Sequence, residues 1–154
     1  MSEDVVYIQK RPASLPEMTG PELEERLKTT RVVLLPFGAT KAHGAHLPLG
    51  TDTYEARENS RRAALRLEAR ECPVIIGPAI PFGTSSFHMG FTGTISISPQ
   101  TLITLTREVC LSLYQHGVRK FAFVHGHDGN LPSMMVAAQE VVDAMPDAEV
   151  EVLN

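Results

Sequence analysis

The chain has 154 residues, 43% of them hydrophobic and 21% charged, with a formal net charge of -4. That length suffices for one domain with a buried core, and no run of Lys or Arg supports binding to nucleic acid or to an anionic membrane. No apolar stretch reaches transmembrane length and the N-terminus carries no secretory pattern, so a cytoplasmic location without membrane attachment is expected. The two cysteines, Cys72 and Cys110, lack metal or redox spacing. Cys110 falls in a helical pattern and is expected to be a buried thiol.

Residues 1–18 contain Pro12 and Pro16 and little periodicity, which predicts an extended arm ahead of a domain spanning 19–154. Thr19-Gly-Pro-Glu22 has the form of a capping box, in which Thr19 caps the helix and Glu22 reaches back to its amide. The helix is expected to run to about Thr29. Val32 to Leu35 follows as a continuous apolar strand of the kind buried in parallel sheets, broken into a loop at Pro36 and Gly38. Tyr54 to Arg70 reads as a helix, with Ala56, Ala63, Ala64 and Leu67 as a narrow apolar stripe. Val74-Ile75-Ile76 marks a second buried strand.

A long loop with three glycines then runs from Pro81 to Thr94, and Ile95 and Ile97 alternate with serines as a short strand or an extended exit from the loop would. Ser98-Pro99 is a good helix start, serine capping and proline at the first helical position. The helix extends to about His116 and stops at Gly117. Phe121 to Val124 is the third strand and runs into the polar segment His125-Gly-His127-Asp128-Gly-Asn130. A helix from Leu131 to Met145 ends before Pro146, and Glu149 to Leu153 begins another strand. Strands alternating with helices predict a three-layer α/β/α fold with a mostly parallel sheet.

In such sheets ligands bind beyond the carboxyl ends of the strands. The loop after the first strand carries Lys41, His43, His46 and Asp52; the loop after the third carries His125, His127 and Asp128. Placed side by side, they pool imidazoles and carboxylates, the ligand set of zinc, manganese and iron sites. One carboxylate can bridge two metal ions, an arrangement that activates water for hydrolysis.

These residues resemble the creatininase (creatinine amidohydrolase) family. Members carry a loop like Gly-Ser-x-Glu-Gln-His-Gly-Pro-His-Leu-Pro-Leu-Gly-Thr-Asp, and residues 38–52 match it nearly throughout. A Gly-x-Ser-x-x-His-x-x-Phe-x-Gly-Thr segment corresponds to Gly83 through Thr94, and Asn-Gly-His-Gly-Gly-Asn to His125 through Asn130. The resemblance implies a metal-dependent hydrolase of cyclic or linear amide C–N bonds, usually a homo-oligomer, acting on a small-molecule amide. By position, His43, Asp52 and His127 are the implied metal ligands, with Asp52 in the bridging role. His46 is implied to support the loop, and His88 to line the substrate pocket.

Two departures bear on this expectation. Lys41 stands where the family has a glutamate ligand, and an ammonium repels a dication; there it could instead neutralise Asp52. His125 replaces the family's asparagine, Asp128 its glycine, and Phe87 a frequent glutamate. Family members also continue into a His-Ala-Gly-x-x-Glu-Thr-Ser-like segment, so the C-terminal part of the fold is expected to be absent here and to be supplied by an oligomer or a partner chain. Three readings stay open. The first is a creatininase-like hydrolase with one divalent ion (Zn, Mn or Fe) or two, Asp128 or an acid from the partner chain moving the proton to the leaving nitrogen. The second is a non-catalytic subunit that lost its metal site and binds a partner. In the third, Lys41 acts without a metal as base or charge stabiliser.

Overall fold

The computed structural model describes residues 14–153. Most of the expected N-terminal arm lies outside that span. Of its remainder, Ser14 forms a lone parallel bridge with Ile76 and residues 15–17 make a single 3-10 turn.

Helix α1 (Gly20–Leu27) begins with the expected capping box: Glu22 N–H donates to Thr19 Oγ1 while the Thr19 amide donates to the Glu22 carboxylate. Strand β1 (Val32–Phe37) is longer than the apolar run suggested, continuing through Pro36. The proline is tolerated because its nitrogen faces the side of β2 (Ile75–Ile76), where regular pairing has already ended. The β2 strand is correspondingly short, bounded by Pro73 and Pro78. Helix α2 (Thr51–Glu68) starts three residues earlier than periodicity predicts, which takes Asp52 out of the loop and into the first helical turn. Of the two readings for 95–98, the extended exit is the one observed: Ile95 and Ser96 form only isolated bridges, to Thr40 and Gly83. Helix α3 (Pro99–Gln115), strand β3 (Lys120–His125), helix α4 (Leu131–Ala144) and strand β4 (Glu149–Leu153) fall within a residue or two of expectation.

The four strands are all parallel, in the order β2-β1-β3-β4. On one face, Val33, Leu35, Phe37, Phe121 and Phe123 pack with Leu102, Cys110, Met134, Val141 and Met145 from α3, α4 and the turn after α4. On the other, Leu34 and Ile76 pack with Ala64 of α2. The result is the three-layer α/β/α arrangement. Strand β1 is buried along nearly its whole length, whereas β4 alternates exposed glutamates with half-buried valines, because α2 does not reach over it.

Cys110 is fully buried, and burial pushes its thiol up to about 12; Cys72 is exposed. Since the thiolate is the reactive form, iodoacetamide is expected to label one thiol per native chain and two after unfolding in urea. Labelling of both in the native state, counted by mass spectrometry, would contradict this packing.

A candidate catalytic centre at the strand switch point

From β1 the chain crosses through α2 to β2 on one side, and from β3 through α4 to β4 on the other. The connections leaving β1 and β3 therefore diverge, opening a crevice at the carboxyl ends of the two central strands. This is where α/β sheets bind ligands. The backbones come together tightly here. Gly126 N–H donates to Phe37 O at 2.8 Å, and a Cβ at Gly126 would run into the Asp52 carbonyl oxygen. Glycine at 126 thus lets the end of β3 press against the first turn of α2.

Four side chains converge there: Lys41, His43, Asp52 and His127, each no more than 13% exposed. His43 Nε2 lies 2.6 Å from Asp52 Oδ1 and 2.9 Å from Lys41 Nζ. The Lys41 ammonium is 3.3 Å from Asp52 Oδ2, and His127 Nδ1 approaches that same oxygen at 3.3 Å. Oδ2 is buried with no aligned hydrogen-bond donor. Burial is the largest influence on the Asp52 carboxyl and pushes it up. The close contacts of the His127 and His43 imidazoles and the charge of Lys41 outweigh it, holding the group below its ordinary value of 3.8. The N-terminal dipole of α2, whose first turn carries Asp52, favours the same ionised form.

The outer nitrogens of both imidazoles are tied to backbone carbonyls: His43 Nδ1 to Lys41 O at 2.9 Å, His127 Nε2 to Thr84 O at 3.0 Å. Carbonyls only accept, so each of those nitrogens carries a proton and donates it. A proton on the inner nitrogen, His43 Nε2 or His127 Nδ1, makes the hydrogen bond to Asp52; without it, that nitrogen turns a lone pair toward the carboxylate. Two lone pairs facing a carboxylate make sense only with positive charge among them, whether a proton, the Lys41 ammonium or a metal ion. Among the described residues no three His, Cys, Asp or Glu side chains are arranged to hold an ion as they stand; the 2.6 Å contact and the lysine close the centre on itself. By donor chemistry, two backbone-oriented imidazoles and a shared carboxylate suit one divalent ion. Lys41 offers no lone pair for a second.

The remaining expected residues are placed as follows. His88 is half-buried in a 3-10 turn of residues 86–88, its ring 6.4 Å from that of His127 in an edge-on arrangement. His125 is half-buried at the end of β3. His46 is exposed on the loop. Asp128 is exposed at the start of the turn before α4, outside the bonded cluster.

Three positioning residues escaped the reading of the sequence. Asn130 is fully buried; its Nδ2 donates to Gly38 O at 2.8 Å and its Oδ1 accepts from Thr84 N–H at 2.9 Å. It ties the ends of β1 and β3 to the 81–94 loop. Thr84 orients His127 through its carbonyl and bonds Gly129 O through its hydroxyl, while Ser85 Oγ lies 3.2 Å from His127 Nε2. A Cβ at Gly129 would strike the His127 ring and Thr84 O, so the close fit depends on that glycine. The only sequence signal for Asn130 was its place in the third family block.

Fold and centre together define an α/β domain with an acid–imidazole–amine cluster at the switch point of a parallel sheet. The chain belongs to the creatininase family: the family model for creatinine amidohydrolase matches residues 16–153. A mycofactocin precursor peptide peptidase of Mycobacterium tuberculosis (strain CDC 1551 / Oshkosh) is 38% identical over 111 residues, 69% of this chain and 44% of that protein. A creatinine amidohydrolase of Pseudomonas putida is 29% identical over 120 residues, 74% of this chain and 44% of that protein. A crystal structure of creatinine amidohydrolase superposes with a TM-score of 0.85 at 24% identity, over 94% of this chain and 58% of its own. Solved creatininases of the same fold include a Zn–Zn form and an Mn form. The chain spans less than half the length of these curated relatives.

Proposed function

We propose that this protein takes part in metal-dependent hydrolysis of an amide C–N bond, with His43, Asp52 and His127 holding one divalent ion. The observation that carries this reading is the pair of imidazoles, each fixed by a backbone carbonyl and each turning its other nitrogen onto the same buried carboxylate. That is how proteins orient histidines for metal binding. A bound divalent ion would lower the pKa of water to near neutrality and polarise the scissile carbonyl. Lys41, buried beside it, adds a fixed positive charge where negative charge develops on the carbonyl oxygen. Asp128, on the exposed rim, is the acid that hands a proton to the leaving nitrogen. His88, edge-on to His127, lines the approach, and the exposed Phe87, Met89 and Phe91 of the same loop favour substrates with apolar bulk next to the amide.

The same proposal extends to assembly. A groove of about 460 Å³ between α4 and β4, lined by Met135, Val142, Val150 and Val152, lies open at the sheet edge. It suits further chain, from an oligomer or a partner, completing a fold of which this chain spans 58%. A second reading, a non-catalytic subunit in which Lys41 replaces the ion, is favoured by the 3.3 Å contact of its ammonium with Asp52.

The test is the metal content of the purified protein, with its solution mass and its hydrolysis of a panel of short peptides and of creatinine. About one zinc, manganese or iron per chain with turnover of some amide is expected. A protein that stays metal-free and inert after incubation with all three metals would sink the hydrolase reading in favour of the subunit.

A further inference from the structure

Lys41 is the one member of the cluster that cannot ligate the proposed ion, and it is built in more firmly than a surface lysine. Its side chain is 11% exposed, its amide donates to Leu49 O at 3.0 Å, and its carbonyl accepts from His43 Nδ1. The segment it sits on is pinned to the 81–94 loop by Thr40, whose carbonyl accepts from Ile95 N–H and whose hydroxyl donates to Pro81 O. The backbone that orients His43 is therefore the backbone that aims the amine. The ammonium then touches the donor atoms an ion would use: 2.9 Å from His43 Nε2 and 3.3 Å from Asp52 Oδ2. An ammonium in contact with an imidazole lone pair and a carboxylate fills the electrostatic role of a cation on both. It also opposes any dication brought to the same atoms.

We propose that Lys41 is a tethered counter-ion of this centre: it satisfies His43 and Asp52 when no ion is bound, and competes there with a divalent ion. This rests on the metal reading above and adds that uptake is weak, reversible and set by one side chain. When the ion enters, the amine gives up both contacts but stays beside the centre, while the backbone bonds that orient His43 stay in place.

The test measures Zn(II) affinity by competition with a chromophoric chelator, and repeats it with Mn(II), on the full chain as wild type, Lys41→Met, Lys41→Gln and Asp52→Asn. Both Lys41 variants are expected to bind at least about ten-fold tighter than wild type, a modest share of what Coulomb's law gives for removing a unit charge a few ångströms from a dication. Their melting temperatures should also rise more than the wild type's on adding metal, a readout independent of activity. Equal or weaker binding by both Lys41 variants would overturn the counter-ion role, and the metal reading would survive if Asp52→Asn still bound more weakly than wild type. Binding by the Lys41 variants alone would support the role in its strongest form. Wild type and all variants failing to bind would overturn both.

Discussion

Replacing Asp52 with alanine is expected to destabilise the domain by about 3 to 5 kcal/mol, because it leaves the Lys41 ammonium buried without its counter-charge. The pair is not a surface ion pair of small effect: the two side chains are 11% and 8% exposed and lie 3.3 Å apart. Removing the carboxylate also takes the shared acceptor from His43 and His127, leaving two imidazole nitrogens without their common partner. Equilibrium urea unfolding of wild type, Asp52→Ala, Lys41→Met and the double variant checks the argument. The double variant should recover much of the loss, since a non-zero coupling is the signature of a direct interaction. Additive losses would mean that the ammonium finds solvent when Asp52 goes.

The pH dependence has a definite sign. Asp52 is held below its ordinary value of 3.8 in the folded protein, so its contribution is complete above that value and is lost as pH falls through the lowered one. The gap between wild type and Asp52→Ala is therefore expected to be wide near neutrality and to close in acid, where the wild type also carries an uncharged group beside Lys41. A gap that stays constant into acid would assign the loss to packing alone.

The fold was largely legible because its signals are local. The capping box at Thr19, the Ser98-Pro99 start and the apolar runs at 32–35 and 121–124 each depend on neighbours in sequence, and each element formed. The expectation that the loops after β1 and β3 lie side by side held, and the pairing of the two strands brought His43 and His127 to one place. The misses have tertiary causes. Pro36 reads as a strand breaker, but a parallel strand presents each residue's N–H to one neighbour only, and β2 has ended where Pro36 faces it. Asp52 reads as a loop residue because the helical periodicity begins after it, yet the helix starts at Thr51, where a carboxylate is favoured by the helix dipole. Lys41 was visible as a departure from the family pattern, and the choice between repelling a metal and neutralising Asp52 needed the distances. His46 and Asp128 share loops with the cluster but are exposed and lie outside its bonded contacts, a distinction that spacing does not carry.

Asn130 is the residue whose loss should most damage the geometry without touching the donor atoms. Its amide closes a junction of three segments: Gly38 at the end of β1, Thr84 in the long loop, and the turn leading into α4. The side chain is fully buried, and Gly83 packs so closely that a Cβ there would collide with it. Alanine at 130 would strand the Gly38 carbonyl and the Thr84 amide away from water, at about 1 to 3 kcal/mol for each unsatisfied group, and would leave a small void besides. A total of about 3 to 5 kcal/mol is expected, a large fraction of the ~5 to 15 kcal/mol that holds a domain together. Because Thr84 O orients His127, the variant should also loosen that ring, so that any metal affinity falls even at temperatures where the chain stays folded by circular dichroism. Urea unfolding and the chelator competition, run on the same preparation, separate the two effects. A loss under about 1 kcal/mol would mean that water replaces the amide at both partners; unchanged affinity in a destabilised but folded variant would mean that Ser85 alone is enough to hold His127.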